Sequence, residues 1–263
     1  MEKRTVSAGF IGLICYTVLY YSGIPIVIQG AAAALCCFCV YELAEATGQI
    51  KKEALFTLVI LAAGLLSFWS AQEEARLAGI CLGISLPFFA LLMVFQPKMR
   101  LNNGWSFVVL SMLVCTQLRS IIALRALPYG IHLTVMCITE CFATDVFAYL
   151  VGSKFGKRKL LPAVSPHKTL LGSVAGMAAA LCFCLLYGLV LHLTADTPVH
   201  YGWLLLYAVI ANVLAQFGDL SMSVVKRITG IKDFGTLIPG HGGLLDRFDS
   251  LIFVIPFTLL FIW

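Results

Sequence analysis

The segment from Ser223 to Asp249, SVVKRITGIKDFGTLIPGHGGLLDRFD, gathers side chains that the rest of the chain largely avoids. It carries the cations Lys226, Arg227, Lys232 and Arg247, the carboxylates Asp233, Asp246 and Asp249, and His241. Cations of this kind neutralise phosphates, and carboxylate oxygens form the ordinary shell of Mg2+. Gly240, Gly242 and Gly243 flank His241 and permit positive φ and close backbone approach, which can aim N–H groups and the histidine at phosphate oxygens. Just upstream, Asp219, Ser223 and Lys226 follow one another at single-turn intervals, so on a helix they form one stripe. A carboxylate, a hydroxyl and an ammonium in one line suit a metal–phosphate complex. Asp246 and Asp249 are also helix neighbours, at the start of the last apolar run, where two carboxylates need a cation or an arginine to offset their burial.

The elements that position these residues are written for lipid. The chain has 263 residues, 60% of them hydrophobic and 12% charged, with a mean hydropathy of +0.96. That balance excludes an ordinary soluble domain. Apolar runs near 6–22, 24–44, 54–70, 76–96, 105–124, 130–151, 170–193, 202–220 and 249–263 predict an all-α polytopic integral membrane protein. Their number gives about nine transmembrane helices. The basic start followed by an apolar stretch reads as a first retained span. The ten cysteines sit in apolar runs and read as small packing residues.

With the N-terminus cytoplasmic and the spans alternating, every Lys and Arg falls inside except Arg76, Arg119 and Arg125. The net charge of +5 then reflects inner-leaflet anchoring and anionic ligands. Basic residues interleaved with aromatics are absent, which argues against nucleic acid. The chain divides into N-terminal helices over 1–128 and a catalytic region over 129–263 with two cytoplasmic loops, 152–173 and 221–249. Both loops fall on one side and can build one site. Asp145, with Glu140 before it, places acid in the inner half of a membrane span, where an ionisable residue is functional by default.

No Ser/His/Asp elbow for acyl chemistry is present, and GSKFGKR fails as a phosphate loop because Arg158 stands where Ser or Thr would bind the metal. The inventory fits phosphoryl or nucleotidyl transfer at a membrane surface, where positioning and charge neutralisation carry the catalysis. A transporter is the reading from another class, but it predicts charges spread along a path through the spans rather than collected at one face.

Ser223, Lys226, Arg227, Lys232, Asp233, Gly235, Pro239, His241, Gly242, Gly243, Asp246, Arg247 and Asp249 together resemble the long signature of the phosphatidate cytidylyltransferase (CDP-diacylglycerol synthase) family. The likeness extends upstream through Asp145, Gly152, Gly156-Lys157 and the SPHKT run. Leu171 and Met222 stand where the family commonly has glutamate. The resemblance implies that CTP and phosphatidate give CDP-diacylglycerol and pyrophosphate, with a CTP-dependent lipid kinase or a cytidylyltransferase for another lipid phosphate as the alternative. It implies catalytic roles for Asp219, Asp246, Lys226 and Asp249, and a divalent cation, Mg2+, on Asp219, Asp246 and Asp145. Ser223, Arg227, Lys232, His241, Gly242, Gly243 and Arg247 would bind substrate, with Ser165 and Lys168 closing from the other loop. It also implies a homodimer among membrane lipids, in a bacterial inner membrane, with the site facing the cytoplasm.

Overall fold

A computed structural model describes residues 2–51, 53–66, 74–95, 100–101, 103–195, 199–235 and 242–262. His241 and Pro239 lie outside the described residues. Helices follow the apolar runs: α1 (Glu2–Tyr21), α2 (Pro25–Ala46), α3 (Glu53–Leu66), α4 (Glu74–Phe95), α5 (Gly104–Ala126), α6 (Gly130–Phe155), α7 (Leu170–Ala195), α8 (Tyr201–Thr229), the single turn α9 (Leu245–Phe248) and α10 (Leu251–Ile262). Among the described residues, six helices are long and apolar enough to cross a membrane: α2, α4, α5, α6, α7 and α8. The apolar parts of α1 and α3, Gly12–Tyr21 and Leu55–Leu65, are shorter, as is the 12-residue α10. Large apolar side chains such as Leu58, Leu65, Val94 and Leu193 are exposed, as expected for helices solvated by lipid.

Local chemistry sets the helix ends. Pro25 starts α2, where a missing N–H costs nothing. Asn103 caps α5, its side chain accepting the Ser106 N–H at 2.7 Å. α8 stops at Gly230, whose φ of 77° lets the Ile231 N–H reach back to the Lys226 carbonyl at 2.9 Å. The core is built around α5 and α10, which pack on each other and on α4, α6 and α8. Phe89, Phe107, Tyr207, Ile252, Phe253 and Leu259 are fully buried there. The cysteines pack as small residues; Cys137 Sγ lies 3.0 Å from the Thr258 hydroxyl.

Three differences from the sequence expectation bear on the site. The loop expected over 152–173 is structured: α6 runs to Phe155, and β1 (Lys159–Leu161) pairs antiparallel with β2 (Ser165–Thr169). Thr169 then caps α7 by accepting the Gly172 N–H at 3.1 Å, so Lys168 is fixed one residue before a helix cap. The loop expected over 221–249 is helical as far as Thr229, because the polar stripe on α8 faces a built site rather than open water. Asp246 and Asp249 precede α10 on the separate turn α9 and its C-cap.

Small residues bring α6 and α7 close enough to align their polar groups. A Cβ at Gly176 would lie 2.7 Å from the Thr144 carbonyl oxygen, so only glycine permits this approach. A polar ladder locks the third partner. Asn212 donates to the Thr144 hydroxyl at 2.6 Å, Gln216 donates to Asn212 Oδ1 at 2.7 Å, and Ser173 donates to Gln216 Oε1. The ladder joins α6, α7 and α8 one turn before Asp219, in an interior where an unpaired amide would be costly.

Candidate active site

Four elements converge where the polar stripe of α8 emerges. Asp219 and Ser223 share it, with the Ser223 hydroxyl donating to Asp219 Oδ1 at 3.4 Å. Lys168, delivered by β2, forms an ion pair with Asp219 Oδ2. Lys226, two turns along α8, reaches away from Asp219 to Asp246 Oδ1 at 2.6 Å, with the Phe234 ring centre 5.4 Å from its ammonium. Asp246 Oδ2 accepts the N–H groups of Phe234 at 2.9 Å and Gly243 at 3.0 Å. One carboxylate therefore ties both ends of the Phe234–Gly243 segment to α8. Gly242 has φ +82°, a left-handed conformation, at the point where the chain turns over Asp246.

Asp249 is buried behind this pair, its Oδ1 accepting the Ser250 N–H at 2.7 Å. Gly218 makes that placement possible, since a Cβ there would lie 2.6 Å from the Asp249 carbonyl oxygen. Asp145 projects from α6 toward the same place: Asp145, Asp219 and Asp249 interact electrostatically with one another and with Lys168. Arg247 also acts on Asp145. Three carboxylates from three elements repel one another unless cations stand among them. Among the described residues, no three His, Cys, Asp or Glu side chains close into a ready ligand cage. Lysines occupy the two carboxylates best placed to form one.

The structure brings Asp145, Lys168, Asp219, Ser223, Lys226, Asp246 and Asp249 together, and sets other expected residues at the margin. Arg227 Nε donates to the Val164 carbonyl at 3.0 Å, pinning the β1–β2 turn to the end of α8. Lys232 is exposed on the connection after α8, and Ser165 begins β2, half-buried. Met222 is fully buried in the core, and Leu171 is exposed. Glu140 is buried in α6, and among the described residues neither of its carboxylate oxygens has a hydrogen-bond partner.

Sequence reasoning missed Glu42. It lies on α2 and is 2% exposed. Its carboxylate accepts the Leu244 N–H and the Leu245 N–H, each at 2.7 Å. An acid in an apolar N-terminal helix was the available signal, since burial of such a group demands a partner.

Comparison with known proteins gives the family. The sequence pattern described as Cytidylyltransferase family matches residues 2–263. The chain belongs to the cytidylyltransferase family. Among the relatives of this cytidylyltransferase-family chain is a phosphatidate cytidylyltransferase of Bacillus subtilis, 43% identical over 129 residues, 49% of this chain and 46% of that protein. One from Staphylococcus saprophyticus is 40% identical over 127 residues, 48% of this chain and 47% of that protein. The chain thus spans about half the length of these two relatives in the matched stretch. A phosphatidate cytidylyltransferase of Thermotoga maritima is similar over a longer reach, 28% identical across 86% of this chain and 84% of that protein.

Proposed function

We propose that this membrane protein transfers the cytidylyl group of CTP to phosphatidate, releasing CDP-diacylglycerol and pyrophosphate. The observation that carries the reading is the convergence of Asp145, Asp219, Asp246 and Asp249 with Lys168 and Lys226 at one site, built by the segments that hold the family signature. The names of the relatives supply the substrate pair.

A phosphatidate oxygen attacks the α-phosphorus of CTP. The new phosphorus–oxygen bond forms as the bond from the α-phosphorus to the oxygen bridging to the β-phosphate breaks, and pyrophosphate leaves with that electron pair. Phosphatidate is an anion near neutral pH, so the step requires alignment and charge neutralisation more than a base. Lys168 and Lys226 are held on carboxylates and can turn to the phosphates as the triphosphate enters. Ser223, Arg247 and the Gly242–Gly243 turn lie beside that path, Lys232 and Arg227 supply further donors at its margin, and His241 is proposed as a phosphate donor on its chemistry alone. The exposed Val146, Phe147 and Tyr149 next to Asp145 give acyl chains an apolar surface, so the lipid need not leave the bilayer.

The carboxylates fit a divalent cation, because Asp145, Asp219 and Asp249 crowd like charges that lysines only partly offset. Mg2+ would be held by Asp219 and Asp145, with Asp246 Oδ1 joining once Lys226 turns away. When bound, the ion neutralises phosphate oxygens and the developing charge. The distribution of Lys and Arg supports a site facing the cytoplasm at a bacterial inner membrane. The proposed homodimer is tested by light scattering on the detergent-purified protein.

The decisive assay combines purified protein, labelled CTP, phosphatidate and Mg2+, and follows pyrophosphate and CDP-lipid. No CDP-lipid under these conditions sinks the reading. Full turnover by an Asp219→Asn, Asp246→Asn double variant sinks the metal assignment.

A further inference from the structure

The signature turn does not hold itself. Asp246 fixes the turn from the side of α8, but the amides that follow Gly243 face the N-terminal half of the molecule. Leu244 and Leu245 N–H donate separately to the two oxygens of Glu42, which is 202 positions away from Leu244. Each oxygen takes one donor, so only a carboxylate satisfies both; an amide would set an NH2 group against one N–H. The fit is also steric. A Cβ at Gly235 would lie 2.8 Å from Glu42 Oε1, and one at Gly243 would lie 2.7 Å from both carboxylate oxygens. A side chain at either signature glycine would therefore displace the Glu42 carboxylate from the two amides it holds.

We infer that Glu42 is a positioning residue for the transfer reaction, clamping the turn that carries Asp246 and thereby setting the Asp246–Lys226 pair. The inference rests on the proposed cytidylyl transfer for its kinetic consequence, although the clamp itself does not. The chain of contact is short. Glu42 holds Leu244 and Leu245, the Gly243 N–H donates to Asp246, and Asp246 holds Lys226. α2 is in turn anchored by the burial of Cys36, Cys39, Val40 and Leu43 in the core, so the clamp has a rigid backing. Loss of the clamp lets the turn drift while the apolar surface for the lipid, on α6, stays in place. The predicted signature is a fall in kcat with little change in the KM for phosphatidate.

The test uses the full chain in one detergent–lipid mixture and four variants: Glu42→Gln, Glu42→Asp, Gly235→Ala, and the Glu42→Asp, Gly235→Ala pair. Glu42→Gln is expected to lower kcat by about tenfold or more, a loss typical of sub-ångström misplacement, with the KM for phosphatidate nearly unchanged. Amide exchange in a peptide covering 242–248 is expected to speed up in parallel. Gly235→Ala is expected to lose activity through its clash with Glu42. Glu42→Asp withdraws the carboxylate by one methylene, so the pair should be no worse than Glu42→Asp alone, a non-additive result. Wild-type kcat in Glu42→Gln, or losses in the pair that simply multiply, would overturn the inference. If Glu42→Gln fails to fold, the Gly235→Ala cycle decides. A wild-type protein that makes no CDP-lipid defeats the functional reading, and exchange at 242–248 still judges the clamp: no change in Glu42→Gln overturns it.

Discussion

The two lysine–carboxylate pairs of the site have the same chemistry and opposite settings. Lys168–Asp219 lies at the rim, with the two side chains 29% and 21% exposed, and joins a hairpin to α8. Lys226–Asp246 lies at the floor, 11% and 6% exposed, and Asp246 has both oxygens committed to the ammonium and to two backbone amides. A rim pair in contact with water exchanges partners at little cost. A floor pair has lost its hydration, so removing one partner strands the other charge. On the proposed function the rim pair opens first to phosphates, whereas at the floor Asp246 Oδ2 keeps both amides, and so holds the signature turn, even when Lys226 turns to the triphosphate.

The largest effect should come from breaking the floor. Asp246→Ala is expected to abolish CDP-lipid formation and to destabilise the protein by about 3–5 kcal/mol, the range for a broken buried pair, read as a lowered thermal midpoint in detergent. Asp219→Asn should separate the two functions. Turnover should fall by about 100-fold or more, as for removal of a preorganised electrostatic group, while stability changes by about 1 kcal/mol or less. A large loss of stability in Asp219→Asn would erase the distinction between rim and floor. Lys168→Ala should mainly raise the KM for CTP, by about tenfold for one charge-assisted contact, and equal effects on CTP and phosphatidate would place this lysine elsewhere in the reaction.

The smallest effect sharpens the comparison from outside the site. Asn212→Ala cuts the ladder that joins α8 to α6 below the rim. Interhelical hydrogen bonds in membranes are worth about 0.6 kcal/mol on average, so stability should barely move. A kcat that drops while stability holds would show the ladder setting the approach of Asp145 to Asp219.

Much of this was legible because the relevant spacings are local. Asp219, Ser223 and Lys226 fall on one face of α8 by helical periodicity. Asp246 and Asp249 fall on adjacent positions of one turn for the same reason. What periodicity could not assign was the partner of each charge. The stripe invites Lys226 to serve Asp219, yet Lys226 goes to Asp246, and Lys168 arrives from β2 to take Asp219. Arg227 has the chemistry of a phosphate ligand, and its Nε also holds the Val164 carbonyl, which no local pattern announces. Glu42 escaped notice because its two amide partners are more than 200 positions away, and nothing in the local pattern of α2 refers to them.

Hydropathy and the spacing of the signature determined, from sequence alone, that the chain is a helical membrane protein whose family signature lies between Asp145 and Asp249. These properties are additive or periodic along the chain, and each residue contributes without knowledge of distant ones. The tertiary structure decided which lysine meets which aspartate, that the expected loops are a hairpin and a helix end, and that α2 supplies a carboxylate to the signature turn. Those outcomes depend on how closely helices pack, through Gly218, Gly235 and Gly243, and packing distance is a property of two surfaces rather than of one sequence segment.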